Sequence, residues 1–258
     1  MAHTGHEGTS VALATYRLDL HIHTVVSPCA EIEMIPPLIV RRAVELGLDL
    51  IAITDHNTAE NVEAVQQAAA AVGLVVLSGM EVQTREEVHI LCLFDTPEQI
   101  LAWQTVVYDS LPAEPNRPEV FGAQYVVDSA GSYVRENVRL LLTSTSLSIE
   151  QVVAGVRELD GIPIAAHVDR PSYSLLANLG LVPEGLALAG LEISAHQSVD
   201  AFRRAHPELE RWPVVRSSDA HQLSEMVCRT QASMAGRTVH ELELALWGEQ
   251  GRHLSAAD

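Results

Sequence analysis

The feature of this sequence that most constrains its fold is a series of short apolar runs separated by stretches with helical spacing. The runs occupy residues 16–22, 50–54, 74–77, 88–94, 162–168, 190–193 and 214–216. Short, continuous apolar runs are typical of parallel strands that are buried on both faces of a sheet. Residues 36–46 begin with two prolines and residues 59–72 are rich in alanine, as expected for helices. The alternation therefore predicts an α/β fold, either a barrel or an open sheet.

The length of the chain and its apolar content predict a single domain. With 258 residues, 47% of them hydrophobic, the chain can close one sizeable core, and single-domain α/β barrels of this length are common. We therefore expect one domain over residues 1–258. Residues 111–146 break the alternation with three prolines and two glycines, and we expect an insertion or lid there. The tail after Gly248 is expected to be frayed.

Charge and cysteine content narrow the partners and the compartment. The sequence has 16 Lys+Arg against 34 Asp+Glu, a formal charge of −18. This balance repels a phosphate backbone, so we expect no binding of duplex nucleic acid, although divalent ions can reverse the field locally. Cys29, Cys92 and Cys228 are far apart in the sequence, which fits a reducing compartment. Residues 1–10 lack the apolar core of a signal peptide, and no run is long enough for a membrane span. We expect a soluble, cytoplasmic protein with no membrane partner.

Histidines and acidic residues recur at the ends of the predicted strands. They are His21 and His23 at the end of the first run, His56 after the second, Glu81 after the third, His89 in the fourth, His167 in the fifth, and Asp219 and His221 after the last. Taken alone, the His21/His23 pair and Glu81 are more often ordinary solvated residues, His89 is as often a half-buried strand residue, and His167 is hard to explain by packing. In α/β barrels the C-terminal ends of the strands converge on one face, so together these residues predict one site. His89 lies at the start of its run, and a short hairpin-like turn after Glu81 would bring it back to the same face. Imidazole and carboxylate ligands suit Zn²⁺, Mn²⁺ or Fe²⁺ rather than Ca²⁺.

Other polar residues near these strand ends are candidates for supporting roles. Asp55 and Asp169 are expected to orient neighbouring histidines. Arg170 is placed to bind a phosphate through two parallel hydrogen bonds, and Arg216 either does the same or points into the barrel wall. His196 is a candidate proton donor, with an ordinary surface histidine as the alternative.

The ordered set of motifs resembles the PHP family, named for its polymerase and histidinol-phosphatase domains. The motifs are His21-Ile22-His23, Thr54-Asp55-His56-Asn57, Gly79-Met80-Glu81-Val82, Val88-His89, Ala166-His167 and Ser218-Asp219-Ala220-His221. The resemblance covers residues 16–221 and implies a distorted (β/α)7 barrel, similar to a TIM barrel, with two or three divalent metal ions at the C-terminal ends of its strands. It also implies hydrolysis of phosphate esters.

The resemblance further implies how the ligands divide among the ions. They are His21, His23, Glu81 and Asp219 for the first ion, Glu81, His89 and His167 for the second, and His56 and His221 for a third. Glu81 would be the bridge. The remaining ligand of the third ion is often a histidine, but Cys29 takes its place here. Cys29 either coordinates as a thiolate, which favours zinc, or stays protonated as a small hydrophobic residue and leaves the third site weak.

These features predict a metal-dependent phosphoesterase. It would use metal-activated water to hydrolyse a phosphomonoester or phosphodiester in a small phosphorylated metabolite or nucleotide, or at a nucleic-acid end, with Glu81, Asp219, Arg170 and His196 taking part in catalysis. One alternative is an amidohydrolase that cleaves a carbon–nitrogen bond, but such enzymes commonly bridge their metals with lysine, and this sequence contains none. Another is a metal-binding accessory domain without catalysis, although such domains usually lose ligands.

Overall fold

The computed structural model describes residues 12–256, so the expectation about residues 1–10 lies outside the described part. In chain order the elements are β1 (Ala14–Ile22), α1 (Pro36–Glu45), β2 (Leu50–Ile53), α2 (Val62–Ala69), β3 (Val75–Gln83), β4 (His89–Phe94), α3 (Pro97–Ser110), α4 (Pro118–Phe121), β5 (Tyr125–Val127), β6 (Tyr133–Glu136), α5 (Ile149–Glu158), β7 (Ile162–Ala165), α6 (Leu175–Leu179), β8 (Gly190–Ile193), α7 (Val199–Ala205), a 3-10 helix (Pro207–Leu209), β9 (Val214–Arg216), β10 (Thr230–Met234), α8 (Val239–Trp247) and β11 (His253–Ala256).

Nine of these strands form one nearly closed, barrel-like sheet in the order β11-β10-β1-β2-β3-β4-β7-β8-β9. β1, β2 and β3 are parallel to one another, as are β7, β8 and β9. β4 lies between the two groups and is antiparallel to both of its neighbours. At the ends of β1 and β9, Ile22 forms a parallel bridge with Ala220. The predicted α/β, barrel-like fold is confirmed, with nine strands in the sheet rather than seven.

The seven predicted runs correspond to β1 to β4 and β7 to β9. The prediction that all are parallel is wrong for β4, because only residues 84–88 separate it from β3, and a parallel crossover needs a dozen or more residues. β10 and β11 are not among the predicted strands. They pair with each other, and β10 also pairs with β1. The expectation of a frayed tail is therefore wrong for residues 253–256.

The two faces of the sheet pack against different helices. In β4, Ile90, Cys92 and Phe94 belong to a core cluster that includes side chains of α1, α2, α3 and α5. Leu91 and Leu93 belong to a second cluster that includes the apolar face of α8. Successive side chains of a strand point to opposite faces, so burial on both faces accounts for the continuous apolar runs in the sequence.

The predicted helices at 36–46 and 59–72 are present as α1 and the shorter α2. α1 begins with prolines in its first turn. α3 and α5 each begin with a capping box, in which the side chain of Thr96 or Ser148 accepts a hydrogen bond from the third helical residue. Between residues 12 and 256, no helix is long and apolar enough to cross a membrane.

Residues 111–146 contain α4 and the β5–β6 hairpin. This segment packs against loops that follow β1 and β2. Tyr125 N–H donates to the carbonyl of Val25, and Asn57 Nδ2 donates to the carbonyls of Leu141 and Thr143 at 2.8 and 2.9 Å. The segment therefore lies beside the C-terminal ends of these strands, where a lid would have to be.

Gly79 in β3 is a position where a methyl group would disturb the sheet beside the predicted site. A Cβ there would lie 2.5 Å from the carbonyl oxygen of Ile53 and 2.7 Å from Cγ2 of Thr54. Because neighbouring backbone would have to move, we expect Gly79→Ala to lower the free energy of unfolding by about 1–3 kcal/mol. Urea denaturation of the metal-free protein measures this change.

Gly236→Ala is the matched control for that measurement, since a Cβ on Gly236 would meet nothing within 4 Å. Its free energy of unfolding should stay within about 0.5 kcal/mol of the unchanged protein. Equal stability of the two variants would show that β3 tolerates a side chain at Gly79.

Candidate metal centre

The polar residues predicted to form a site lie together at one edge of the sheet. β1, β2, β3, β7, β8 and β9 all end at this edge, and β4 begins there because it runs in the opposite direction. The side chains are His21 and His23 from the end of β1, His56 after β2, Glu81 near the end of β3, His89 at the start of β4, His167 after β7, and Asp219 and His221 after β9. Except for the partly exposed His221, all are buried.

The first group of donor atoms has the spacing of ligands to one ion. Nε2 of His21 lies 3.1 Å from Nε2 of His23 and 3.4 Å from Oε1 of Glu81. Oδ1 of Asp219 lies 3.3 Å from the first of these nitrogens and 3.2 Å from the second. Ligands about 2.1 Å from one ion in tetrahedral or octahedral arrangement lie about 3.0–3.4 Å apart. The donor set therefore fits a divalent ion.

Glu81 also contacts a second set of imidazoles. Its Oε1 lies 2.8 Å from Nδ1 of His89 and 3.1 Å from Nε2 of His167. Its Oε2 lies 2.9 Å from Nδ1 of His56. One carboxylate is thus shared between two groups of potential ligands, as a bridge between two ions requires.

A third group lies on the outer side of the cluster. His23, His56 and His221 have ligand nitrogens within 4.8 Å of one another. The ring centroids of His23 and His221 are 4.2 Å apart. Cys29 lies beside this group and lines the same cavity as His56 and His221. The buried histidine and glutamate clusters are consistent with a multinuclear metal site.

The electrostatic balance of the centre favours ionised carboxylates. Burial alone would raise the pKa of Glu81, but interactions with the neighbouring imidazoles, first that of His89 and then that of His21, outweigh burial and hold it well below its ordinary value. Burial likewise opposes ionisation of Asp219, and His21 lowers its pKa. Both acids are therefore available as anionic ligands at neutral pH.

The histidines differ in their charge. Burial would lower the pKa of His21, but the carboxylates of Glu192 and Asp219 raise it well above the ordinary value. The pKa of His56 is also well raised, since Glu81 outweighs the effect of burial. Without metal, these two rings hold protons that an ion would have to displace.

The pKa values of Cys29 and His23 are lowered, in contrast to those of His21 and His56. Burial opposes ionisation of the Cys29 thiol, but the hydrogen bonds with His221 and His56 lower its pKa to about 7. Burial, together with the charges of His221 and His56, holds the pKa of His23 well below its ordinary value. His23 is therefore neutral and Cys29 is readily ionised, the states in which both residues can bind metal.

Glu192 in β8 is a member of the centre that sequence reasoning missed. Its Oε2 accepts a hydrogen bond from Nδ1 of His21 at 2.9 Å and another from the backbone N–H of His167 at 3.0 Å. It fixes the orientation of the His21 ring by binding the nitrogen that faces away from the cluster. The available signal was a glutamate inside an otherwise apolar run, since buried carboxylates are rare without a partner.

The two aspartates expected to orient histidines act on other groups. Asp55 accepts a hydrogen bond from Ser27 Oγ at 2.7 Å, and this hydroxyl lies 3.0 Å from Nδ1 of His23. Asp55 therefore reaches a histidine only through Ser27. Asp169 accepts from the backbone N–H and the hydroxyl of Ser194, both at 2.7 Å, and fixes that loop instead.

The backbone is strained at the edge where these side chains meet. His167 has φ 29° and Asp219 has φ 50°, in the left-handed region that residues with a Cβ seldom adopt. Asn57, directly after His56, has φ 50°. Such conformations cost about 1–3 kcal/mol each and are concentrated at functional sites. Hydrogen bonds such as the one from His167 N–H to Glu192 hold them in place.

The cluster opens into a cavity of about 310 Å³. Leu142, Arg170 and Tyr173 line it together with the potential ligands. Nη2 of Arg170 lies 2.5 Å from Oδ2 of Asp219, and the ring of Tyr173 stacks on His89 with centroids 5.1 Å apart. A phosphate held at the cluster would therefore have a guanidinium group and an aromatic ring beside it.

The two remaining candidates lie outside that cavity. His196 is exposed and lines a neighbouring cavity that also contacts Arg170 and Asp219. Arg216 is buried and donates to the carbonyl of Ala195. Of the two positions considered for Arg216, the structure shows the one in the barrel wall.

The sequence of this chain is similar to those of a known domain family and a known enzyme. The sequence matches the PHP domain over residues 19–154. A 5'-3' exoribonuclease from Haemophilus influenzae is 32% identical over 82 residues, which cover 31% of this chain and 29% of the relative.

Solved structures share the fold. The lesion-specific endonuclease Q of Pyrococcus furiosus superposes with a TM-score of 0.68 at 21% identity, over 93% of this chain and 58% of that one. In a second structure of endonuclease Q (TM-score 0.67, 20% identity, 93% and 58% coverage), a 27-mer duplex holds an abasic lesion at the active site. A two-domain protein from Bacteroides vulgatus, which contains a predicted PHP-like metal-dependent phosphoesterase, gives a TM-score of 0.54 at 14% identity, over 95% of this chain and 66% of that one. The chain thus spans well under two thirds of the exoribonuclease and of endonuclease Q.

The raised pKa values of His21 and His56 predict that metal binding depends on pH. At neutral pH and below, both rings carry protons in the metal-free protein, so an ion must displace them and its affinity should fall as the pH falls. When the pH is well above the raised pKa values, both rings are neutral and protons no longer compete with the metal ion. Calorimetric titration with Zn²⁺ in buffers of different ionisation enthalpy should show protons released on binding, and equal heats in all buffers would contradict the prediction.

Proposed function

Because the chain belongs to the PHP domain family, we propose that it is a metal-dependent phosphoesterase that hydrolyses a phosphate ester of a nucleotide, either a free nucleotide or the end of a nucleic acid. The observation that carries the proposal is the position of Glu81. Its two oxygens lie within 3.5 Å of nitrogens from five histidines, at distances suited to shared metal ligands. A buried carboxylate among so many imidazoles is difficult to explain by packing.

The proposed ligands follow the three groups of donor atoms. They are His21, His23, Glu81 and Asp219 for one ion, Glu81, His89 and His167 for a second, and His56, His221 and Cys29 for a third. The spacing in the first group and the bridging position of Glu81 support this division. His56 also contacts Glu81, so the second and third groups share an edge.

The chemistry divides between the metal and the protein. Divalent ions in such a site supply positive charge that stabilises phosphate oxygens and makes water a better nucleophile at neutral pH. Glu81 and Asp219 hold this charge in place. Arg170, in the wall of the cavity, binds a phosphate oxygen with the guanidinium nitrogens that Asp219 does not occupy. His196, from the neighbouring cavity, is the proposed proton donor to the leaving group.

A nucleotide is favoured over other phosphorylated molecules on two grounds. The exoribonuclease and endonuclease Q have nucleic acids as their substrates, as their names state. The ring of Tyr173 lines the metal cavity and is partly exposed, so that it is available to stack on a base. The expectation that duplex nucleic acid is excluded is no longer supported, because endonuclease Q holds a duplex on the same fold. The net charge of the chain does not decide whether duplex nucleic acid can bind.

The geometry of the site favours neither of the two alternatives. An amidohydrolase of the usual kind would bridge its metals with lysine, but Glu81 occupies the bridging position and the sequence contains no lysine. An accessory domain would be expected to have lost ligands, but the proposed donor side chains are present and converge.

Glu81→Gln tests the proposed function, since it keeps the shape of the side chain and removes the shared charge. We expect hydrolysis of a chromogenic phosphodiester or monoester with added Mn²⁺ to fall by at least about 100-fold. Loss of a group that only orients a metal ligand lowers activity by up to about 100-fold, and loss of a bridging ligand should cost at least as much. Metal content, measured by elemental analysis, should fall as well.

The exposed Glu249→Gln provides a control with the same change of charge, and it should behave like the unchanged protein. Circular dichroism establishes that both variants are folded. Full activity of Glu81→Gln would rule out the proposed bridge.

Cys29→Ser tests whether the thiolate is a metal ligand. In the cobalt-loaded protein, a bound thiolate gives a sulphur-to-metal charge-transfer absorption in the near ultraviolet, and this absorption should disappear in Cys29→Ser. We also expect one equivalent of metal to bind more weakly, by about 10-fold or more. Cys228→Ser is the control, because its sulphur donates to the carbonyl of Thr230 and Cys228 is not a member of the ligand groups. A cobalt spectrum without the charge-transfer band in the unchanged protein would mean that Cys29 stays protonated beside the site.

A further inference from the structure

A second cavity lies directly beside the metal cavity. It has a volume of about 460 Å³ and shares Arg170, Asp219 and His221 with the first as a common wall. Its other side is formed by residues before and after β9, among them His196 and Arg229. A molecule bound at the metal cluster can therefore extend into this space without passing through the core.

Arg229 is the feature of this cavity that points to a ligand. Its Nε is buried, and it has no hydrogen-bond partner within the part of the chain that the structure describes. Nor does the guanidinium form an ion pair with any carboxylate of residues 12–256. A buried donor without a partner is costly, because it has lost its hydrogen bond to water, so the lack of a partner at this position points to a ligand.

The position of Arg229 is fixed by its neighbour in the sequence. Thr230, the first residue of β10, is buried, and its hydroxyl accepts from the backbone N–H of Arg216 and donates to the carbonyl of the same residue. These bonds attach the start of β10 to β9. The guanidinium is therefore carried on a backbone that is anchored next to the metal edge.

The acids in the second cavity are already committed elsewhere. Oε2 of Glu225 accepts from the backbone N–H groups of His221 and Gln222 at 2.8 and 3.2 Å, and its Oε1 accepts from Nε2 of Gln222 at 2.7 Å. Asp219 faces the metal cluster and Arg170. Among the described residues, Arg229 is therefore left without a carboxylate partner, although Asp219 and Glu225 line the same cavity.

We propose that this cavity binds a second phosphate group of the same substrate whose ester is cleaved at the metal cluster. Arg229 binds that phosphate through two hydrogen bonds, and Arg170 lies between the two phosphates. The inference rests on the proposed function and narrows the substrate to phosphate esters that carry another phosphate a short distance from the one attacked. That phosphate is either a terminal group or the next linkage of a polynucleotide.

The test compares two chromogenic esters that differ only in the second phosphate. One is the p-nitrophenyl ester of thymidine 5'-phosphate, and the other is the same compound with a 3'-phosphate. We expect the unchanged, metal-loaded protein to prefer the second ester by about 10-fold or more in kcat/KM, mainly through KM, as a charge-assisted pair of hydrogen bonds would give. Arg229→Ala should abolish the preference and Arg229→Lys should restore only part of it.

Arg204→Ala, on the exposed face of α7, removes the same charge away from both cavities and should retain the full preference. A third ester, in which the 3'-phosphate joins a second nucleoside, separates the two sources of the phosphate. Equal preference for the third ester indicates an internal linkage, and preference for the terminal phosphate alone indicates a doubly charged end group. Either result supports the second phosphate site.

The proposal is overturned if the unchanged protein does not distinguish the first two esters, or if Arg229→Ala keeps the full preference. If neither ester is hydrolysed, the proposed function fails, and the site is then judged by binding alone. Calorimetric titration with thymidine 3',5'-bisphosphate and with thymidine 5'-phosphate should still show a difference in affinity that Arg229→Ala removes. Equal affinities in that titration would overturn the second phosphate site by itself.

Discussion

The buried carboxylate of Glu81 is the constraint on which the rest of the site depends. A carboxylate removed from water is costly unless positive charge surrounds it, and here the charge comes from imidazoles on four other segments of the chain. No single segment could supply these groups. The parallel strands bring their C-terminal ends to one edge, and the reversed β4 adds its first residue to the same edge. The barrel-like sheet is therefore the means by which one acid acquires its partners.

Much of the fold and of the cluster could be predicted from the sequence because both produce sharp local contrasts. An apolar run that ends in histidine, as at 162–167, indicates both a buried strand and the position at which the chain leaves the core. β10 and β11 gave no such contrast, since they lie at one margin of the sheet. β10 alternates buried with partly buried residues, and β11 alternates exposed with partly buried ones. The direction of β4 depends on the length of one turn and not on its own composition. Glu192 and Arg229 were missed because their roles depend on partners or cavities that distant segments provide.

Net charge alone does not determine which partners this chain can bind. The value of −18 describes the whole surface, whereas a ligand at the cluster would experience the field of the metal site, Arg170 and the second cavity. Apart from the histidines, all of the basic residues are arginines, because the sequence contains no lysine. Arginine offers planar, paired donors that match phosphate, so the few cations that face the two cavities are suited to directional binding.

Glu192 shows how closely the two sides of the cluster are joined. The same oxygen binds the ring of His21, in the first group of donor atoms, and the backbone of His167, in the second. The distance between these two sides is therefore set by the position of a single strand, β8, which contributes no proposed metal ligand of its own. A shift of β8 would change the separation of the two groups of donor atoms before it altered the distances within either group. The register of this one strand therefore controls the spacing of the whole centre.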